Sequence, residues 1–223
     1  MKFEEVYHRA VVHKGGELEL KKLLPAHVTK GTLEKLDERV FLAEMTRCVF
    51  QAGFSWKVIE SKWAGFEEVF HGFDVNELLG LLPEDWDAIK EDRRIVRNAM
   101  KINSVSANAR FIEDIAIEYG SFAKFIADWP SSDLVDLFAL LKKRGSRLGG
   151  NSGQRFLRNV GKDTFVCTKD VVRCLQVSGL AIKDNPTSKS DFKAIQQVFN
   201  QWHEESGLSY THLSRIAAYS ITN

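Results

Sequence analysis

Positive charge and glycine are concentrated in one stretch of the sequence, and an aspartate follows a short distance later. Residues 142–162, KKRGSRLGGNSGQRFLRNVGK, contain seven Lys or Arg and no Asp or Glu, and three glycines lie at their centre. Asp170, in KDVVR, follows 22 residues after Leu148. Cations around a glycine-rich turn can bind an anionic group. A nearby carboxylate can then act as a general acid or base on the molecule that contains this group.

We interpret LKKRGSRLGGNSGQRFL as a helix, a hairpin and a second helix. Gly149, Gly150 and Gly153 allow positive φ and the close approach of another backbone. Asn151 or Ser152 can cap the helix that begins near Gly153. A helix N-terminus presents unpaired N–H groups, and the phosphates of DNA are a repeating anion that such a site holds without reading sequence. The alternative is a glycine-rich turn with a solvated basic face.

Helical periodicity dominates the elements that must position these groups. DERVFLAEMTRCVFQAG places its apolar residues on one face, and Gly53 ends it. Ser55 can cap the next helix, SWKVIESKWAGFEEVF, Asp74 can cap VNELLGLL, and Pro83 can open PEDWDAIK. DTFVCT is the one short strand candidate. The sequence therefore predicts an all-α protein of about ten helices.

Composition excludes several classes of protein. The chain has 223 residues with 44% hydrophobic content, so it can bury a core, and its net charge of +1 argues against a general polycation. Cys48, Cys167 and Cys174 form no Cys-x-x-Cys pair, and an odd count favours a reducing compartment. Neither a signal peptide nor a run of 18 apolar residues is present. We expect a cytoplasmic protein that does not enter a membrane.

Several motifs carry a resemblance to a known family. FQAGFSWKVIESKWAGFEEVFHGFD is similar to a QAG-[LF]-S-W…F…FD signature, RIVRNAMKINSVSANAR to the helix downstream of it, and LKKRGSRLGG to an LKKRG-F-x-F-x-G run. Together they resemble the 3-methyladenine DNA glycosylase I family, of the helix-hairpin-helix DNA glycosylases, over about residues 43–161. The resemblance implies a two-lobed core at residues 37–223, with residues 1–36 as an N-terminal helical extension.

The same resemblance implies an activity. Members remove 3-methyladenine and related alkylated bases from double-stranded DNA in base excision repair. They hydrolyse the N-glycosidic bond after the damaged nucleotide has left the stack. We expect a monomer that needs no cofactor.

The resemblance also assigns residues. Gln51 matches a glutamine that enters the gap left by the flipped base, and Phe54 beside it is a candidate wedge. Trp56 matches the tryptophan of the base pocket, whose ring face attracts a cationic purine by ~0.5–2 kcal/mol. A serine replaces the second glycine of the hairpin. The residues that correspond to the DNA-binding hairpin are Lys143, Arg144, Arg147, Gly149, Gly150, Ser152, Gly153 and Arg155.

Further departures from the family concern the base reader and the zinc site. Cys48 stands where the family has its base-reading glutamate, which leaves the base specificity open, and Glu44, one helical turn earlier, is the substitute candidate. Well-known members bind zinc through an N-terminal cysteine and histidine and a C-terminal His-x3-Cys. This chain has no cysteine before Cys48 or after Cys174, so we expect a zinc-less variant.

Asp170 lies close to the position of the superfamily's aspartate, which the zinc-binding members lack. Its carboxylate could stabilise an oxocarbenium-like sugar and orient water. The alternative is a plain helix cap in TKDVV. Gln154 stands where bifunctional members have a nucleophilic lysine, so the expected enzyme is monofunctional.

Two rival functions remain open on sequence alone. One is a glycosylase for a different damaged base, and the other is a non-catalytic helix-hairpin-helix protein that binds damaged DNA. A set of cations at Arg93, Arg94, Arg97 and Lys101 extends the DNA-binding face or is simply a solvated helix surface.

Overall fold

The computed structural model describes residues 2–26 and 28–221, and the only regular secondary structure in this part of the chain is helical, without a β-strand. That confirms the predicted all-α class. The α-helices are α1 (Phe3–His13), α2 (Glu17–Lys22), α3 (Lys30–Leu33), α4 (Glu38–Gln51), α5 (Trp56–Ser61), α6 (Trp63–Val69), α7 (Val75–Gly80), α8 (Pro83–Glu91), α9 (Ala99–Tyr119), α10 (Phe122–Asp128), α11 (Leu134–Arg144), α12 (Asn151–Asn159), α13 (Lys169–Val177), α14 (Lys189–Ser206) and α15 (Tyr210–Tyr219). Two short 3₁₀ helices cover His71–Phe73 and Ser131–Asp133.

Fifteen α-helices in the described residues correct the expected number of about ten. One reason is that SWKVIESKWAGFEEVF forms two helices, α5 and α6, which separate at Lys62 (φ −102°, ψ 3°). A second reason is that three helices, α1 to α3, lie within the first 33 residues. Periodicity alone does not reveal a single non-helical residue inside a continuous apolar stripe.

The strand candidate DTFVCT does not form a strand. Residues 162–168 have no regular secondary structure, although four consecutive residues, 164–167, are buried. The backbone N–H and carbonyl of Thr164 bond to the hydroxyl of Thr211, both at 3.2 Å, so a side chain occupies the place of a partner strand. The burial of residues 164–167 accounts for the β-branched and aromatic residues in this segment.

The helices form two compact units. The larger unit consists of Thr29–Asp128 and Phe138–Lys162, and the smaller of Met1–Val28, Trp129–Leu137 and Asp163–Asn223. The boundary that we predict at residue 36 stays a prediction.

The larger unit is built around α4, which packs against α9 on one side and α12 on another. Phe41 of α4 lies edge-on to Phe122 (5.2 Å between ring centroids) and to Phe156 of α12 (6.3 Å). Phe50, at the other end of α4, lies edge-on to Phe66 at 4.7 Å. These aromatic contacts fix α4 and α12 side by side.

In the smaller unit α15 packs against α1, α13 and α14. Trp202 is fully buried beside Phe3 (5.6 Å) and Phe199 (5.4 Å), and Phe199 stacks on Phe165 at 4.7 Å. No helix in the described ranges is long and apolar enough to cross a bilayer.

Candidate functional site

The turn after α4 projects aromatic side chains into solvent. Gly53 adopts φ +79°, and every residue of 52–58 is exposed. Phe54 is 40% exposed and Trp56 is 50% exposed. Ser55 is the N-cap residue of α5, although its side chain makes no capping bond. Trp56 is therefore available to a ligand, in contrast to Trp63, which stacks in the core.

Lys101 of α9 anchors this turn through hydrogen bonds to its backbone. Its Nζ donates to the carbonyl of Phe50 (3.1 Å) and to that of Ala52 (2.6 Å), and it lies 4.4 Å from the ring centroid of Phe54. Burial and the charge of Arg147 lower the pKa of Lys101. Neither the DNA-binding nor the solvated role expected for Lys101 is correct, because only 7% of the residue is exposed.

Gln51 is held at the end of α4 by an acidic partner. Its Nε2 donates to Glu60 at 2.9 Å, and Arg47 donates to the other oxygen of Glu60 at 2.6 Å. The Arg47 guanidinium also lies 3.9 Å from the ring centroid of Trp63. These contacts leave Gln51 partly exposed, and its gap-filling role with Phe54 stays a prediction.

The hairpin between α11 and α12 is fixed by a buried asparagine. Asn108 Oδ1 accepts from the Ser146 N–H at 2.7 Å, and Asn108 Nδ2 donates to the Ser146 carbonyl at 3.1 Å. Arg147 follows with φ +62°, and Gly150 has φ +59° and ψ −140°, a conformation that glycine adopts readily. A Cβ on Gly153 would lie 2.2 Å from the Leu148 carbonyl oxygen.

The residue that precedes α12 is Gly150, so the expected capping by Asn151 or Ser152 is wrong. Both residues lie inside the first turn, and no side chain caps the helix. The first N–H groups of an uncapped helix are open to an external acceptor. A phosphate oxygen is such an acceptor.

The basic residues of the hairpin differ in their partners. Lys142, Lys143 and Arg147 are exposed. Arg144 instead donates to both oxygens of Glu118, at 2.8 and 2.6 Å. The charge of Arg144 is largely balanced by this pair, so it contributes less to an anion site than its exposed neighbours do.

The second helix of the hairpin reaches the exposed turn of residues 51–56, called the aromatic corner below. Arg155 places its guanidinium 5.0 Å from the ring centroid of Trp56. One turn further along α12, Asn159 Nδ2 donates to Glu44 Oε1 at 2.7 Å and approaches Cys48 Sγ at 3.7 Å. The hairpin and the corner, although about 100 residues apart in sequence, thus share one face of the larger unit.

Cys48 is a neutral group in this cluster. Burial, with the negative charge of Glu44, raises the pKa of its thiol to about 12. The thiol therefore stays protonated at neutral pH. Cys48 cannot replace the acceptor that the family places at this position, whereas Glu44 keeps a carboxylate within the cluster.

Asp170 belongs to the smaller unit, at the second position of α13. The capping residue is Thr168, whose hydroxyl accepts from the Val171 N–H at 3.3 Å. The interpretation of Asp170 as a helix cap is therefore wrong. Among the described residues no hydrogen bond or ion pair engages its carboxylate, which is partly exposed.

The described residues contain no group of three His, Cys, Asp or Glu side chains arranged to hold a metal ion. The cysteines are separate and buried. The side chains present do not fit the zinc clip of the well-known family members. Gln154, at the position of a lyase nucleophile, is 1% exposed and carries no amine.

Comparisons with known proteins identify the family and the fold of the chain. The profile of the methyladenine glycosylase family matches residues 27–143, more than half of the chain. A structure of a variant of 3-methyladenine DNA glycosylase I in complex with 3-methyladenine is 21% identical and has a TM-score of 0.51, covering 65% of this chain and 85% of that one.

Two structures from Methanocaldococcus jannaschii cover more of the chain. Its 8-oxoguanine DNA glycosylase is 17% identical with a TM-score of 0.57, covering 96% of this chain and 92% of that one. The 8-oxoguanine glycosylase/lyase with DNA containing 8-oxoguanine is 14% identical with a TM-score of 0.55, covering 96% and 95%. These structures confirm the helix-hairpin-helix glycosylase fold. The chain belongs to the methyladenine glycosylase family and is a monofunctional DNA glycosylase.

Proposed function

We propose that this glycosylase releases 3-methyladenine from double-stranded DNA. In this proposal the base pocket lies at Trp56 and the phosphate-binding site at the hairpin. The observation that supports this most strongly is the contact of α12 with the corner, through Arg155 on Trp56 and Asn159 on Glu44. One helix can in this way connect the turn that binds the DNA phosphates with the pocket that binds the base.

The proposed pocket suits a flat cation. Methylation at N3 makes adenine in DNA cationic, and a cation on an indole face gains ~0.5–2 kcal/mol. In the free protein the guanidinium of Arg155 lies on that face. When the base enters, Arg155 moves aside and binds a phosphate, while Gln51 and Phe54 fill the space that the base leaves.

The proposed phosphate-binding site consists of the exposed cations of the hairpin and the uncapped N-terminus of α12. Lys143, Arg147 and the N–H groups that follow Gly150 bind consecutive phosphates without reading the sequence. Gly149, Ser152 and Gly153 keep the backbone close to the DNA, since none carries a bulky side chain. Arg144 positions the hairpin through Glu118.

Asp170 is the proposed catalytic carboxylate. Alkylation makes the purine a good leaving group, so the main task is to stabilise positive charge on the sugar and to orient water. The assignment rests on sequence spacing and on the finding that Thr168, rather than Asp170, caps α13.

Release of free base from methylated duplex DNA, separated by chromatography, tests this proposal. We expect Asp170→Asn to lower the single-turnover rate by about 100-fold with DNA affinity unchanged, because the carboxylate acts mainly in the transition state. Glu204→Gln, an exposed acid of the same unit, is the matched control and keeps the wild-type rate. An unchanged rate in Asp170→Asn would remove Asp170 from the mechanism.

The same assay separates the rival functions. Release of a deaminated or oxidised base in preference to 3-methyladenine would identify another lesion. Binding to abasic DNA without release of any base would identify a binding protein. We also propose that the enzyme acts as a cytoplasmic monomer, which light scattering with and without DNA and cell fractionation would check.

A further inference from the structure

We infer that Met100 is a second apolar wedge of this glycosylase, which enters the minor groove of kinked DNA beside Phe54. This inference rests on the proposed function, in which Phe54 helps to fill the gap left by the flipped base. It adds to the DNA-binding surface a residue that lies outside both the hairpin and the aromatic corner. It also predicts that part of the affinity for DNA does not depend on salt.

Met100 projects an apolar side chain into solvent. It is the second residue of α9 and is 66% exposed, whereas the next residue, Lys101, is only 7% exposed. Consecutive residues of an α-helix point about 100° apart, so the two side chains leave the helix in different directions. Single exposed apolar side chains are common on protein surfaces, so the role of Met100 depends on its neighbours.

The neighbours of Met100 connect it to both parts of the proposed site. Its sulfur lies 3.7 Å from a guanidinium nitrogen of Arg147 in the hairpin. Lys101, which follows it, donates to the carbonyl of Ala52 at 2.6 Å and lies 4.4 Å from the ring centroid of Phe54. All of these residues belong to the larger unit. The start of α9 therefore lies between the hairpin and the aromatic corner.

The charges around Met100 favour DNA as the partner. Arg97, three residues earlier, and Arg147 are exposed, and among the described residues no carboxylate pairs with either guanidinium. A protein partner with an apolar surface would leave these two cations without a counter-charge. A DNA strand offers phosphates to the cations, and between its phosphates it offers sugars and base edges to an apolar side chain.

Methionine suits this contact in both chemistry and shape. Its unbranched, flexible thioether adapts to irregular gaps, and methionine is among the side chains that proteins insert between base steps in the minor groove. Burial of this side chain against DNA is expected to raise the affinity about tenfold. Because the contact releases no counterions, the gain is the same at every salt concentration, in contrast to a contact with a phosphate.

The test measures binding to two duplexes of the same sequence across a salt series. One duplex is undamaged, and the other carries a stable abasic-site analogue, which makes it easier to kink and open. We expect Met100→Ala to lower the affinity for the abasic duplex about tenfold, with an unchanged slope of log K against log salt. The loss on the undamaged duplex is expected to be about twofold or less, because that duplex leaves no gap beside Phe54 to receive a wedge. Met100→Leu, which keeps an apolar side chain of similar volume, binds both duplexes as wild type does.

Ile117→Ala is the matched control. Ile117 is 77% exposed at the other end of α9, about 25 Å from Met100 along the helix axis, so this variant keeps the wild-type affinities. Thermal unfolding shows that each variant is folded. Wild-type affinity of Met100→Ala for the abasic duplex overturns the inference, and so does an equal loss on the two duplexes. A reduction of the slope by about one phosphate contact also overturns it, because Met100 would then act by positioning Arg147.

Failure of the inference and failure of the proposed function are distinguishable. Both duplexes lack a damaged base, so the binding measurement does not depend on turnover. If wild type releases no 3-methyladenine and Met100→Ala shows the expected loss of affinity, only the proposed function fails. If wild type releases the base and Met100→Ala binds the abasic duplex as tightly as wild type does, only the inference fails.

Discussion

A single buried ammonium shapes the aromatic corner. Lys101 donates to two carbonyls at the end of α4 and lies under Phe54, so the exposed turn is anchored to α9. The last carbonyls of a helix have no partner within the helix, and here a side chain 49 residues away in sequence satisfies one beyond the helix end. The exposed Trp56 thus stands on a rigid base.

Replacement of Lys101 by methionine is expected to lower the free energy of unfolding by about 1–3 kcal/mol, because the buried carbonyl of Phe50 and the partly buried carbonyl of Ala52 lose a charged donor. We also expect base release to slow, since the corner from Gln51 to Trp56 loosens. Denaturant unfolding and single-turnover release measure the two effects. The control is Lys57→Met on exposed α5, and equal behaviour of the two variants would contradict the role of Lys101.

Sequence patterns predict part of the candidate site and do not reveal other contacts around it. Trp56 and Gln51 are predicted because they occur in a contiguous motif, and the exposure of Trp56 and the partial exposure of Gln51 are compatible with the roles proposed for them. The role of Lys101 is not visible in the sequence, because the sequence does not distinguish a lysine that bonds two carbonyls from a solvated one. The hydrogen bond between Asn159 and Glu44 is not visible in the sequence either, because only the packing of α12 on α4 brings the two residues together.

At the scale of elements, the hairpin depends on a glycine that has no special φ. The Cα of Gly153 lies in α12 with ordinary helical geometry, and the requirement for glycine comes from the neighbouring Leu148 carbonyl. The pattern of glycines predicts the hairpin correctly, yet it assigns the cap to Asn151 or Ser152. Local propensity favours those residues as caps, whereas the helix begins directly after Gly150 and includes both of them in its first turn.

We expect Gly153→Ala to lower the free energy of unfolding by about 1–3 kcal/mol, because its Cβ would overlap the Leu148 carbonyl oxygen. DNA binding should weaken as well, since the turn must open to accept the methyl group. Gly80→Ala is the control, because no atom lies within 4 Å of its Cβ position. Its effect should stay within about 1 kcal/mol. Equal midpoints for the two variants in thermal unfolding would contradict this account.

Over the whole molecule, a net charge of +1 conceals a strongly uneven distribution. Seven cations and no acids fall within residues 142–162, so the remaining chain carries an excess of acid. We therefore expect the non-specific attraction to DNA to come from a local surface. Composition is enough for this prediction, while the pairing of Arg144 with Glu118 is visible only in the folded structure.

The affinity for undamaged duplex DNA should fall steeply with salt, with a slope of about −0.9 in log K against log salt for each phosphate contacted. We expect Lys143→Ala to reduce that slope by about one contact. Lys124→Ala, an exposed lysine outside the hairpin, serves as control and leaves the slope unchanged. Fluorescence anisotropy across a salt series measures both, and parallel lines for Lys143→Ala and wild type would contradict a phosphate contact.

The protonated thiol of Cys48 has a consequence for an enzyme of methylated DNA. The reagents that alkylate DNA also attack thiolates, which are far better nucleophiles than thiols. With burial and a pKa of about 12, the sulfur of Cys48 holds on the order of a thousandfold less thiolate at neutral pH than an ordinary cysteine does. A glycosylase of methylated DNA can therefore carry this cysteine on α4 and resist inactivation by the reagents that create its lesions.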